Sequence, residues 1–586
     1  MLKHQAEYNA SLEKKDLGSD VDDSFETDSA HEGLEFPTVE ELATLRRVQD
    51  AIPWNTYAIA FVELAERFSY YGSSIVFVNY IQQPMPPGST TGSSSDPNGQ
   101  AGALGKGQQA ANGLNTFYSF WAYFVPLFGA YIADTYWGRY KTICVSVAIA
   151  LLGHVFMIIS AIPGIIGGNA SFGVFILSMI VTGLGAGMFK ANISPLIAEQ
   201  YRRTKLFIKV LPSGERVIVD PTMTVSRIYM YFYLFINIGA LIGQVGMVYA
   251  EKYVGYWLAY TLPTIVFLLC IPVLMWGKTR YRRSAPTGSV LAACLRLWRY
   301  AAKGRWSLNP VTTMRNMRAD DFWESVKPSK HTVETRPAWM TFDDVWVDEV
   351  RRGVKACAVF LWYPLYWLAY NQLTSNLTSQ AATMSTHGVP NDVLNNLDPF
   401  ALIIFIPICD LFIYPALARA GIKFTALKKI AWGFGTASFA MIWACVIQYY
   451  LYKTNPCGHQ AATCVDADGN PLVSPINVWA QTGSYVLIAF SEIFASITGL
   501  EYAFTKAPRN MRSVVMSIFL FQSAFASAIG EAFNPLATDP LLVWNYAVAT
   551  ILAGVGCVVF WIAVRKLDKQ EDALNNLPEA RFDEKL

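Results

Sequence analysis

The chain has 586 residues, 53% of them hydrophobic and only 15% charged, with a mean hydropathy of +0.28. Soluble domains carry about 25% charged residues, so the composition excludes an ordinary soluble enzyme and indicates a chain that crosses a membrane repeatedly. The net charge of +2 gives no reason to expect a nucleic-acid partner, because the basic residues lie between the apolar runs.

Residues 1–54 are polar and acidic, with "DLGSDVDDSFETD" inside them. That composition reads as a disordered cytoplasmic N-terminal tail rather than a cleavable signal. Apolar runs of about 20 residues follow, each long enough to span a bilayer as a helix. Twelve are expected, near 55–81, 111–133, 142–164, 173–198, 227–249, 256–276, 355–374, 398–418, 428–452, 477–504, 512–533 and 541–564. The expected architecture is an all-α membrane protein with two six-helix bundles, 55–276 and 355–565. A cytoplasmic linker, 277–354, separates the bundles, and a cytoplasmic tail, 566–586, ends the chain.

Loop charges orient this arrangement. With both termini cytoplasmic, and basic residues at the very ends of spans counted with the adjoining loops, the inside loops carry 31 lysines and arginines and the outside loops three, the asymmetry that the positive-inside rule requires. Only Arg67 and Lys190 then remain in the interior of spans. Cys457 and Cys464 fall in an outer loop, where an oxidising exterior favours a disulfide over two free thiols. Asn169 and Asn376 head sequons close to the membrane. No Cys/His set has metal-ligand spacing, so neither a metal nor a cofactor is expected. "DTYWGRYK" after span two is echoed by "CDLFIYPALARAGIK" at the end of span eight, the equivalent place in the other half. Duplicated carriers put substrate near the midplane between their repeats.

The first span contains "ELAERFSYYG", Glu63 to Gly72. On a helix, Glu63, Glu66, Arg67, Tyr70 and Tyr71 share an arc of about 140°. Charges facing lipid would cost roughly 2.5–3.5 kcal/mol each, so this arc should face a wet cavity. The alternative is a structural ion pair, Glu63–Arg67, that only locks helices. Lys190 in span four and Glu492 in span ten should face the same cavity, and they are expected to form a salt bridge that opens for substrate. Asn237 in span five joins them, unless it merely bonds a neighbouring helix. His154 reads as a packed helix residue. A cavity with cations at one side and Glu492 at the other suits a zwitterion, its carboxylate toward Arg67 and Lys190 and its ammonium toward Glu492.

These residues give the chain a close resemblance to the proton-dependent oligopeptide transporter family, and to its fungal di/tripeptide transporters above all. "ELAERFSYYG" resembles the family's ExxERFxYYG. "FVPLFGAYIADTYWGRYKTI", "FYLFINIGA" and "GLEYAFTKAPRNMRS" resemble the signatures of helices two, five and ten. The resemblance implies a major-facilitator fold with alternating access and proton-driven import of di- and tripeptides across the plasma membrane. It implies a coupling motif of Glu63, Glu66 and Arg67. It places Arg67, Tyr70, Tyr71, Tyr123, Lys190, Asn237, Trp367, Asp398, Glu492 and Phe519 around the substrate. Asp398 stands where the family has asparagine, and Phe519 where it has tryptophan. Ser74 and Asn371 replace a charged outer-gate pair described in relatives, and Thr116 replaces a histidine of animal members. We expect a monomer whose partners are peptide, protons and membrane lipid. Two other readings remain: an anion carrier of the nitrate type on the same fold, and a peptide sensor that signals through the basic linker. No nucleophile–base pair or phosphate loop suggests an enzyme.

Overall fold

A computed structural model describes residues 33–568, except 97–98, 204–205, 284–285, 287–289, 318, 320, 333–335, 338, 341, 422–423, 468–470 and 507–511. The chain divides into two compact units.

The smaller unit takes residues 1–53 and 201–229. Its three strands are Arg47–Val48, Phe207–Val210 and Arg216–Val219, with the last in the middle. Arg47–Val48 runs parallel to Arg216–Val219, and Phe207–Val210 pairs with that strand as an antiparallel hairpin. Ahead of the sheet, Thr38 and Glu41 form a capping box on the helix Val39–Thr44, which satisfies donors that a helix start leaves open. The expectation of a disordered tail therefore fails for residues 33–53, while 1–32 lie outside the described residues. Acids within 33–53 have basic partners: Arg216 holds Glu35 and Glu41, and Asp50 holds Arg203 at 2.6 Å and Lys209 at 3.4 Å.

The larger unit, 54–200 and 230–586, is mostly helical, with one short parallel pair, Met384–Ser385 and Ser474–Asn477. Among the described residues, eight helices are long and apolar enough to cross a membrane: Arg139–Ser160, Asn169–Glu199, Arg227–Tyr253, Tyr256–Gly277, Ala426–Thr454, Val478–Leu500, Val515–Leu536 and Leu542–Asp568. The other four expected spans also fall on helix, but interrupted or polar helix. The first is Trp54–Ile75 followed by Phe77–Gln82. The second is Gly107–Ile132, with Pro126 inside it. The seventh changes to a 3₁₀ stretch, Ala358–Trp362, before Tyr363–Tyr370. The eighth is Leu397–Ile408, then a π turn, then Tyr414–Arg419. Leu234, Ile242, Ile265, Trp432, Ile551 and Val558 stand exposed on these helices, an arrangement suited to lipid and not to water.

The sequence echo has a structural counterpart. The stretch Ala133–Trp137, holding Asp134, and the stretch Cys409–Ile413, holding Asp410, are both π turns. Each is followed by a positive-φ glycine, Gly138 and Gly421. The linker is not featureless either, since Val290–Ala301, Pro310–Met317 and Asp344–Cys357 are helices.

A disulfide joins Cys457 and Cys464, and it marks one end of the bundle. Hydrogen bonds between the two halves gather toward this disulfide end. Asn112 donates to Asn534 at 2.8 Å, Asn115 to the Thr374 carbonyl at 3.1 Å and Tyr253 to the Gly388 carbonyl at 2.7 Å. Neutral amides and hydroxyls supply these contacts. Ser74 and Asn371 do not bond each other: Ser74 donates to Tyr71 and Asn371 to Ser527.

Candidate functional site

The helix Trp54–Ile75 packs through one face on the helix Pro221–Tyr253. A Cβ on Gly239 would lie 2.4 Å from the Leu64 carbonyl oxygen, and one on Gly243 2.5 Å from that of Phe68. Glycine is what permits backbones to approach so closely. The opposite face carries the charges. Arg67 Nε stands 3.1 Å from Glu63 Oε1 and 2.6 Å from Glu66 Oε2. All three residues are 2–3% exposed. These contacts are close but poorly aligned, for Arg67 Nε and Glu66 Oε2 make no hydrogen bond, and Arg67 Nη2 and Glu63 Oε2 also have no hydrogen-bond partner. The guanidinium therefore retains donor capacity for a further carboxylate.

Aromatic rings and a second cation surround the triad. The Arg67 guanidinium lies 5.3 Å from the Tyr70 ring centre and 5.8 Å from that of Tyr71. Lys190 Nζ lies 4.0 Å from the Tyr123 ring and 5.8 Å from the Tyr70 ring. It is within electrostatic reach of both glutamates. Two carboxylates and two cations thus balance inside a low-dielectric cluster. Behind it a small cavity is lined by Glu66, Ser69, Ser73, Tyr118, His154 and Thr182, among others. His154 Nε2 is 2.7 Å from Ser69 Oγ, so the histidine is packed, as its sequence context indicates, yet it borders the same cavity as Glu66.

A second cluster forms in the other half. Glu492 opens a π-helical stretch, Glu492–Ile497, a distortion common at functional positions. Tyr370 donates to Glu492 Oε2 at 3.0 Å. Trp367 packs edge-on against Tyr370, ring centres 5.2 Å apart. Asp398 is buried with its Oδ1 unpartnered and is a carboxyl neighbour of Glu492. Tyr123 is the first-cluster residue within electrostatic reach of Glu492. The sequence reading missed Tyr370, although it lies three residues from Trp367 and so on the same helix face.

Three expected placements are not seen in this conformation. Among the described residues no ion pair joins Lys190 to Glu492: the lysine sits over Tyr123 while Glu492 accepts from Tyr370. Asn237 is exposed and turns back on its own helix, donating to the Tyr233 carbonyl at 2.9 Å. Gly239 faces the Glu63 helix, and two residues are 200° around a helix, so Asn237 leaves on the far side. Phe519 is 2% exposed and packs on Phe360 and Tyr363 at 5.2 and 5.1 Å. It belongs to the aromatic core, not to a cavity wall.

Residues 140–551 match the model of the POT family. The chain belongs to that family. The peptide transporter PTR_A of Candidozyma auris is 40% identical over 98% of this chain and 92% of its own length. The peptide transporter PTR2 of Saccharomyces cerevisiae is 40% identical over 94% of this chain and 86% of its own. Among solved structures, the POT family transporter PepTSo superimposes with a TM-score of 0.68 at 20% identity, covering 89% of this chain and 99% of that one. A POT family transporter in complex with 5-aminolevulinic acid gives 0.61 at 18% identity, covering 89% and 97%. The fold is therefore that of the POT transporters, and the protein is a membrane carrier rather than an enzyme.

Proposed function

We propose that this chain is a proton-coupled symporter that imports di- and tripeptides by alternating access. The observation that carries the reading is the division of charge. One half presents Arg67 and Lys190 among tyrosines, and the other presents Glu492 and Asp398 beside Trp367 and Tyr370. A peptide zwitterion has its two ends several ångströms apart. Its carboxylate suits the unfilled donors of Arg67, and its ammonium suits the paired carboxyls. Glu63, Glu66 and Arg67 supply the coupling: a proton on either glutamate weakens its hold on Arg67 and frees the guanidinium for the peptide carboxylate.

An anion carrier of the same fold is disfavoured, because a bare anion loses energy beside Glu492 and Asp398. Twelve spans with both termini and the basic linker cytoplasmic complete the proposal. The disulfide end is then the outer side, and this conformation is closed there. We further propose that a monomer suffices and that the plasma membrane is its site. The test is uptake of a labelled dipeptide into liposomes containing only this protein, with and without an inward proton gradient. Accumulation driven by the gradient and competed by tripeptide but not by nitrate is the expected result. Competition by nitrate would replace the reading with the anion carrier. Binding without flux in folded protein would replace it with the sensor.

A further inference from the structure

At the disulfide end a second set of buried acids lies away from the Glu63 cluster. Glu251 ends the helix Pro221–Tyr253 in the first half. Asp392 lies in the 3₁₀ turn Asn391–Asn396 of the second half. They are 1% and 0% exposed. Between them stands Asn79 of the helix Phe77–Gln82, whose amide nitrogen lies 3.0 Å from Glu251 Oε1, 2.8 Å from Asn391 Oδ1 and 3.4 Å from Asp392 Oδ2. Asn391 returns a bond to Asn79 Oδ1 at 2.9 Å. An amide nitrogen has two hydrogens. One is used in this reciprocal amide pair, so Asn79 has a single hydrogen left for two carboxyl groups, and the Tyr256 hydroxyl is a further donor on the Glu251 side.

Counting charges leads to the same shortage. Glu251 and Asp392 are in contact with each other. Lys252, itself buried, is within electrostatic reach of Asp392, Asp96 and Glu251, and Tyr256 also faces Glu251. Among the described residues, Lys252 is the cation within reach of these acids. Glu251 Oε2 and Asp392 Oδ1 have no hydrogen-bond partner in the heavy-atom geometry. Two ionised carboxylates in this position would repel in a low dielectric. One proton placed between them converts the repulsion into a hydrogen bond and satisfies an oxygen on each.

We infer that Glu251 and Asp392 bind one proton jointly, and that this proton latches the two halves together at the disulfide end. The latch goes beyond the coupling triad, since it lies at the other end of the first span and uses residues that touch no proposed substrate group. Burial pushes the Asp392 carboxyl up to about 7, with Lys252 opposing. When the halves part, both acids meet water and return to ordinary carboxylate values near 4. The closed state therefore binds the proton more tightly. Closure is favoured below the closed-state value and lost as pH rises through it. On the orientation proposed above, outside acidity would load this proton and shut the outer side, so the gradient itself would drive the closing step.

The test is hydrogen exchange of the full chain in lipid nanodiscs without peptide, from pH 5.5 to 8.5, read as protection factors for segments 76–84 and 386–396. The wild type should lose protection above about pH 7, by up to tenfold per pH unit for one proton. Asp392→Asn donates to Glu251 without needing a proton and should hold protection flat across the range. Glu251→Gln should do the same, so either variant suffices if the other does not fold. A wild type with no pH dependence, or variants that keep its profile, would overturn the inference. Because no substrate is present, the result is independent of whether peptides are the cargo.

Discussion

Glu66→Gln separates the coupling role of the first-span triad from a purely structural one. Glu66 Oε2 lies 2.6 Å from Arg67 Nε, and Glu63 Oε1 lies 3.1 Å from the same atom. Glutamine keeps the shape and an acceptor oxygen but neither the charge nor a titratable proton. Removing the sole partner of a buried charge costs about 3–5 kcal/mol. Arg67 still has Glu63, so the loss should be that of one close ion-pair contact, at most about 1.5–3 kcal/mol. The variant should fold, with a thermal midpoint a few degrees lower in detergent. Transport should change qualitatively. A pH difference of one unit carries about 1.4 kcal/mol per proton and permits up to tenfold accumulation of a neutral dipeptide with one proton coupled. Wild type in liposomes should approach that ratio. Glu66→Gln should equilibrate and go no further, while peptide-for-peptide counterflow persists. Accumulation at the wild-type ratio in Glu66→Gln would refute the assignment and leave the triad as a helix lock.

Other expectations concern different parts of the molecule. Glu492→Gln and Asp398→Asn should each weaken uptake of peptides with a free amino terminus by roughly 10–100-fold in KM, the worth of a charged hydrogen bond. Both variants should leave relative affinity for an N-acetylated peptide unchanged, so equal losses for the two peptides would count against an ammonium site. Asn371→Asp and Ser74→Arg should each impair transport, and the double variant should recover it; two neutral single variants would show that these positions do not face each other during the cycle. In the smaller unit, Asp50→Ala removes bonds to Arg203 and Lys209 and should cost about 1–3 kcal/mol, seen as faster hydrogen exchange at Ile218 and Asp220. Asp50 is buried, yet the Ala51 amide, Arg203 and Lys209 together hold its carboxyl below the ordinary value. Its contribution is therefore complete above about pH 4 and lost only as pH falls through the lowered value, so exchange in this unit should stay constant from pH 5 to 8.

The legible parts of the site were those encoded within one helix. Glu63, Glu66, Arg67, Tyr70 and Tyr71 lie within nine residues, and helical geometry alone puts them on one arc. Lys190 and Glu492 announced themselves as charges in otherwise apolar runs. What could not be read was distance between helices. Nothing local shows that Lys190 rests on Tyr123 while Glu492 is held by Tyr370. Asn237 failed for a related reason: the helix-five match gives residue types, but the facing of that helix is set by Gly239 and Gly243 against another chain segment. Residues 33–53 misled because their polar, acidic composition does not show the partners that fold beside them, such as Arg216, 181 positions from Glu35.

The same limit explains why Glu251 and Asp392 escaped notice. Each sits at the edge of an apolar run, where a lone acid normally meets water and needs no explanation. Only the fold brings them together under Asn79 and removes the water. The charges inside the spans and those at their ends thus differ in kind. Glu63, Glu66, Arg67 and Lys190 balance one another, so a proton there changes which partner Arg67 holds. Glu251 and Asp392, with Asp96, outnumber Lys252 among the described residues, so on the inference above a proton there favours closure of the halves. The proposed symport cycle uses both events, one that links cargo binding to a proton and one that permits the conformational step only when a proton is aboard. The balanced cluster suits the first and the unbalanced one the second.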